Sequence, residues 1–138
     1  MTHTTHVTYE DEMTFDVELD GHHLKIDADE KFGGRDKGPK PKHLLLAALA
    51  GCTGMDVVSI LKKMRMPFDR FWLDVEGTVS ESEPKVYNSF TVTYNFQGGN
   101  LDREKIEKAV TLSQENYCGV SAMFRSFAPV NVNIVCNP

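Results

Sequence analysis

Cysteine is scarce in this chain, with three residues among 138. That number is odd and far below the density of a disulfide-stapled scaffold, so the fold must rest on an apolar core. It favours a reducing compartment in which thiols stay available for chemistry, and a cytoplasmic location is expected. Positive charge is short as well: 15 Lys and Arg stand against 20 Asp and Glu, a formal charge of −5. A surface for nucleic acid or for an anionic membrane is therefore not expected. The opening residues, Met1 to His6, lack the charged-then-apolar pattern of a signal peptide. Repeats and composition breaks are also missing, and the length suits one domain, residues 1–138, with its own core.

Against this background one stretch stands out, running from Pro39 to Met64. Pro39 and Pro41 suit the first turn of a helix, where a missing N–H costs nothing. From Leu44 to Leu61 the residues are apolar or small on nearly every side, which predicts a long buried helix. Asp56, with Thr53 and Ser59, argues against a membrane span, because an isolated intramembrane carboxylate is costly. Cys52 lies mid-helix between Gly51 and Gly54, and Asp56 follows one turn later on the same face. Met64-Arg65-Met66-Pro67 should end the helix, since the residue before a proline resists the helical region.

The flanking segments read as strands and one more helical region. Thr5–Tyr9, Met13–Leu19 and His22–Asp27 alternate apolar and polar residues, separated by Glu10–Glu12 and by the hairpin signal Asp20-Gly21. After a polar loop, Asp29–Lys40, and the long helix come two more strands, Phe71–Thr78 and Val86–Phe96. Asp102 is a candidate N-cap for an amphipathic helix over Lys105–Leu112. A short helix, Val120–Phe124, and a final strand, Pro129–Val135, close the chain. The order βββ-α-ββ-α-β is an α+β pattern.

Single residues carry competing readings. A lone thiol inside a helix is usually an inert small hydrophobe. Cys118 precedes a short helix, whose N-terminal dipole favours a thiolate, so local physics alone makes it the better nucleophile of the two. Asp56 is either a functional carboxylate near Cys52 or one satisfied across an interface. Met55 and Phe124 are candidates to line an apolar substrate pocket, though residues at helical spacing are usually core. His3 with His6, and His22 with His23, lack the spacing of a helical ligand pair, so no metal is expected. Cys136 has no evident partner.

Two motifs, however, are in register with a known family. Gly38 to Leu61, with Leu45-Leu46-Ala47-Ala48 leading to Gly51-Cys52, resembles the first cysteine motif of the OsmC/Ohr family of organic hydroperoxide reductases. Asp56-Val57-Val58-Ser59-Ile60-Leu61 is similar to its OsmC-like branch. Ser113 to Ser121, with Cys118-Gly119-Val120-Ser121, resembles the second motif, and the cysteines stand 66 positions apart (118 − 52). The resemblance implies an OsmC-like fold, an intertwined homodimer and thiol peroxidase chemistry without a cofactor. Cys52 would be the peroxidatic cysteine and Cys118 the resolving one. A dithiol, in the family often lipoyl-linked, would reduce their disulfide. The family's activating arginine would fall at Arg35, with Lys31 and Lys37 as other cations nearby. The glutamate that usually follows the motif's proline is replaced by Lys42.

Two functions stay open at this point. One is a dithiol-dependent organic hydroperoxide reductase working through a Cys52–Cys118 disulfide. The other is a non-peroxidatic relative that binds a small apolar or thiol ligand or senses thiol redox state. The retained cysteine pair favours the first and Lys42 the second.

Overall fold

The computed structural model describes residues 1–138. The chain gathers into two compact units, Met1–Leu45 and Leu46–Pro138.

The first unit is an antiparallel meander of β1 (His6–Asp11), β2 (Thr14–Leu19) and β3 (His22–Ile26). Its two turns fall where the sequence placed them. Glu12 and Asp20 both take positive φ, 51° and 53°, and Gly21 follows at 78°. Val17 pairs with Val7 on one side and Leu24 on the other, so the apolar positions of the three strands share a face.

The loop after β3 is organised by Asp27. Its carboxylate is buried and accepts the Ala28 N–H at 2.8 Å, the Thr14 hydroxyl at 3.0 Å and the Lys37 and Arg35 N–H groups at 3.2 and 3.3 Å. Burial alone would raise its pKa, but the hydrogen bonds from Ala28, Lys37, Thr14 and Arg35 outweigh it and hold the group below its ordinary 3.8. A depressed carboxylate adds stability that is complete above the unfolded value and is lost as pH falls through the lower folded value. The first unit should therefore loosen only in acid below about pH 4. Asp27→Asn replaces an accepting oxygen by a donor facing two N–H groups. Hydrogen exchange should then show lost protection at Arg35 and Lys37; wild-type protection would contradict this role.

α1 (Leu44–Lys63) follows a single 3-10 turn, Pro41–His43, and all but its first two residues belong to the second unit. It closes as sequence reading expected. Arg65 turns left-handed at φ 55°, the Met66 N–H bonds the Leu61 carbonyl at 3.0 Å, the Arg65 N–H bonds Lys62 at 3.1 Å, and Pro67 blocks continuation. β4 (Arg70–Val79) and β5 (Tyr87–Gln97) pair antiparallel, and β6 (Val130–Asn137) joins β5 in parallel. A parallel neighbour needs a long crossover. The segment between β5 and β6 provides it with α2 (Arg103–Leu112), a π-helical turn (Ser113–Tyr117) and α3 (Gly119–Arg125). Asp102 caps α2 as predicted, accepting the Lys105 N–H at 3.3 Å.

The core lies between the central strand and the helices. Phe90, Val92, Tyr94 and Phe96 alternate along β5 and are buried with Leu49, Val57 and Leu61 of α1 and Ile106, Ala109 and Val110 of α2. The α+β order is that read from the sequence. The burial of α1 is narrower than its composition suggests: one stripe, Leu49, Thr53, Gly54, Val57 and Leu61, is buried. The other side is apolar and open, with Met55 75% exposed. By length and hydropathy α1 would suffice to cross a membrane, yet its stripe is part of this core.

Candidate functional site

Cys52 and Cys118 come from opposite ends of the second unit's sequence and meet in space. Cys52 sits on α1, half-buried; Cys118 caps α3 and is 2% exposed. Both are free thiols, and Cys52 lies near enough to Cys118 to raise its pKa. The Cys118 sulfur accepts the Ser121 N–H at 3.4 Å, the first-turn donor that an N-cap normally satisfies. The Ser121 hydroxyl is buried without a hydrogen bond of normal geometry and leans on the same sulfur.

Burial pushes the Cys118 thiol above its ordinary value; the Ser121 hydroxyl and N–H pull it partly back, and the adjoining Cys52 sulfur raises it again. Desolvation therefore works against the helix-end argument for an easily ionised Cys118. Burial thus disfavours the thiolate form of Cys118.

A continuous polar network runs beside the pair through the core. Arg125 reaches both the backbone carbonyl and the side-chain oxygen of Gln114. Gln114 Nε2 donates to Tyr94 Oη at 2.7 Å; Tyr94 Oη and Thr53 Oγ1 are 2.6 Å apart; Thr53 Oγ1 and Ser113 Oγ are 2.7 Å apart; Ser113 Oγ donates to Asp56 Oδ2 at 2.9 Å. Proton counting fixes its direction. A carboxylate only accepts and each hydroxyl owns one proton, so Ser113 donates to Asp56, Thr53 to Ser113 and Tyr94 to Thr53. The guanidinium stands at the donor end and the carboxylate at the acceptor end. Burial raises the Tyr94 pKa; the Thr53 and Gln114 bonds lower it and the nearby Cys118 and Asp56 add to the rise.

The remaining sequence candidates fall in different places. Asp56 ends the network and lines a surface cleft with Ser59, Lys63 and Tyr117. Met55 borders an open apolar groove of about 630 Å³ formed by one side of α1 and by Phe71 and Leu73 of β4. Phe124 is core: its ring stacks on Phe90 at 4.7 Å and meets Phe127 at 5.6 Å, so it is not on a pocket wall. Arg35, in the first unit, pairs with Glu12 at 3.0 Å. Cys136 is half-buried on β6 opposite Phe96.

This arrangement of two cysteines can now be set against known proteins. The sequence pattern described as OsmC-like protein matches residues 34–133. The chain belongs to the OsmC-like family. Protein YhfA of Escherichia coli K12 is 31% identical over 103 residues, covering 75% of this chain and 74% of YhfA. A hypothetical protein from Aquifex aeolicus VF5, of known crystal structure, superposes with a TM-score of 0.86 at 26% identity over 99% of this chain and 96% of its own. The fold is shared with the organic hydroperoxide resistance protein OhrB of Bacillus subtilis, at a TM-score of 0.67 and 21% identity over 95% and 97% of the two chains.

Sequence reading of this OsmC-like chain missed Thr53, Tyr94, Ser113, Gln114 and Arg125. One signal was present. The alternation Phe90, Val92, Tyr94, Phe96 puts a tyrosine on a buried face, and a buried phenol needs a partner.

Proposed function

We propose that the protein is a cysteine-based peroxidase that reduces organic hydroperoxides and is regenerated by a dithiol. The observation that carries this reading is the proximity of a half-buried Cys52 to a buried Cys118 whose thiol pKa is raised by burial. In the first step the Cys52 thiolate attacks one oxygen of the peroxide. The O–O bond breaks, the alcohol leaves after taking a proton, and Cys52 becomes a sulfenic acid. Cys118 then gives up its proton and attacks the sulfenic sulfur, forming the disulfide and releasing water. A dithiol such as a lipoyl group returns two electrons and two protons by exchange and leaves as its own disulfide.

Accessibility supports this order of roles. The attacking sulfur must meet a substrate, whereas the resolving sulfur need only meet its neighbour. By the family pattern the cation that activates the thiolate is Arg35. An activating cation is worth about one pKa unit or more to a thiolate, so on this pattern Arg35→Ala should slow the peroxide step about tenfold near neutral pH. A rate unchanged from wild type would remove Arg35 from the mechanism.

The working unit on this reading is an intertwined homodimer in a reducing compartment. Its support is the apolar outer side of α1 and the groove beside it, more open apolar surface than a monomer usually leaves uncovered. Steady-state consumption of cumene hydroperoxide with dihydrolipoamide tests the activity. Wild type should turn over and Cys52→Ser should not. The alternative, an OsmC-fold protein that binds a small apolar or thiol ligand, is favoured by Lys42 in the glutamate position. An inert, fully reduced wild type would select it.

A further inference from the structure

The polar network joins the same two backbone segments that a Cys52–Cys118 disulfide would join. Thr53 follows Cys52 directly on α1. Ser113 is tied to Cys118 by the bond that closes the π-helical turn, Cys118 N–H to the Ser113 carbonyl at 2.7 Å. The Thr53–Ser113 hydroxyl contact at 2.7 Å therefore joins the segments that carry the two cysteines, one residue away on one side and one π turn away on the other. Arg125 holds the far side by gripping Gln114, so Cys118 lies between two anchored points of the chain.

Satisfying a buried tyrosine would need only one partner. Here Thr53, Ser113 and Tyr94 are all fully buried, three hydroxyls are set in one direction, and a cation and an anion close the two ends. Hydrogen bonds aligned in series polarise one another and resist bending more than isolated bonds do. π-helical turns, moreover, occur disproportionately at functional sites.

We infer that this charge-terminated chain of hydrogen bonds holds Cys118 against Cys52, making Thr53 and Ser113 positioning residues for disulfide closure. The inference rests on the cysteine-pair reading and adds to it. Orientation fixed before reaction raises the effective concentration of one group at another. Without the network the reduced thiols would separate more often, and closure would become less favourable. Asp56 then acts at a distance from the sulfurs, as the acceptor that fixes the direction of every donor behind it.

The test reads the thiol–disulfide equilibrium directly. The disulfide is formed with diamide, without peroxide, and equilibrated in dithiothreitol buffers. Thr53→Val and Ser113→Ala should each lower the effective concentration of the pair about tenfold, raising its reduction potential by about 30 mV. Thr53→Ser, which restores the hydroxyl, should keep the wild-type potential. A merely structural network would destabilise the dithiol and disulfide forms alike, lowering both melting temperatures and leaving the potential unmoved; that result overturns the inference. If the Thr53 and Ser113 variants do not fold, Tyr94→Phe removes one hydroxyl and keeps the ring, and its potential should also rise; an unchanged value overturns the inference equally. Wild type that consumes no peroxide but shows these shifts would sink the peroxidase reading alone. Turnover with an unmoved potential would sink this inference alone.

Discussion

Reduced Cys118→Ser protein should consume one equivalent of organic hydroperoxide per chain and then stop. On the proposed mechanism, removing the resolving thiol leaves the first step intact, because the attack falls to the half-buried Cys52. The sulfenic acid then has no neighbour with which to condense. A dithiol reductant would have to reach Cys52 directly, and turnover should fall by orders of magnitude. A dimedone adduct at Cys52 would identify the stalled species, and excess peroxide should carry it on to the sulfinic acid. An adduct on Cys136, or sustained turnover at the wild-type rate, would show that Cys118 does not resolve.

Phe124→Ala should strongly destabilise the protein. The ring is buried, stacked on Phe90, and belongs to the short helix that Cys118 caps. Emptying such a site costs about 3–5 kcal/mol, a large part of the 5–15 kcal/mol by which a domain of this kind is usually stable. The loss should also be local. α3 has only seven residues and too little intrinsic stability to persist without its packing. Urea denaturation should report the lower stability. Alkylation followed by peptide mapping should show Cys118 reacting far faster than in wild type, where burial hides it and raises its pKa. Stability lost without faster alkylation would mean that α3 does not depend on this contact.

Phe124 also shows where sequence reasoning stops. A phenylalanine near a reactive cysteine reads equally as pocket wall or as core, and periodicity over a seven-residue helix does not decide between them. The stack on Phe90 does. Cys118 is a second case. Its place before a short helix was legible, and so was the dipole argument for a thiolate, but desolvation is a property of what packs around the residue and no local pattern reports it. The long helix was read almost to the residue, because Pro41, Arg65 and Pro67 punctuate it and an apolar run of that length has few alternatives. Its one-sided burial was not, since a composition without a polar face cannot say how many sides a single chain covers.

The polar network was the least legible feature. Its members stand at 53, 56, 94, 113, 114 and 125 and are contributed by two helices, a strand and a π-helical turn. Thr53, Asp56, Ser113 and Gln114 fall within the two cysteine motifs and Tyr94 and Arg125 do not, yet each alone is an ordinary polar residue. The π turn itself follows from no propensity. It inserts one extra residue where α2 ends, and this sets Ser113 inward toward Thr53 while Cys118 is free to cap α3. The parallel β5–β6 pairing was similarly hidden, because alternation predicts a strand but not its neighbour.

Thiol counting after stoichiometric oxidation tests the cysteine-pair account most directly. Fully reduced wild type, mixed with one equivalent of cumene hydroperoxide and no reductant, should lose two titratable thiols per peroxide consumed. Peptide mapping should then find a Cys52–Cys118 disulfide and a free Cys136. Intact peroxide with three free thiols, or a disulfide that includes Cys136, would contradict the account.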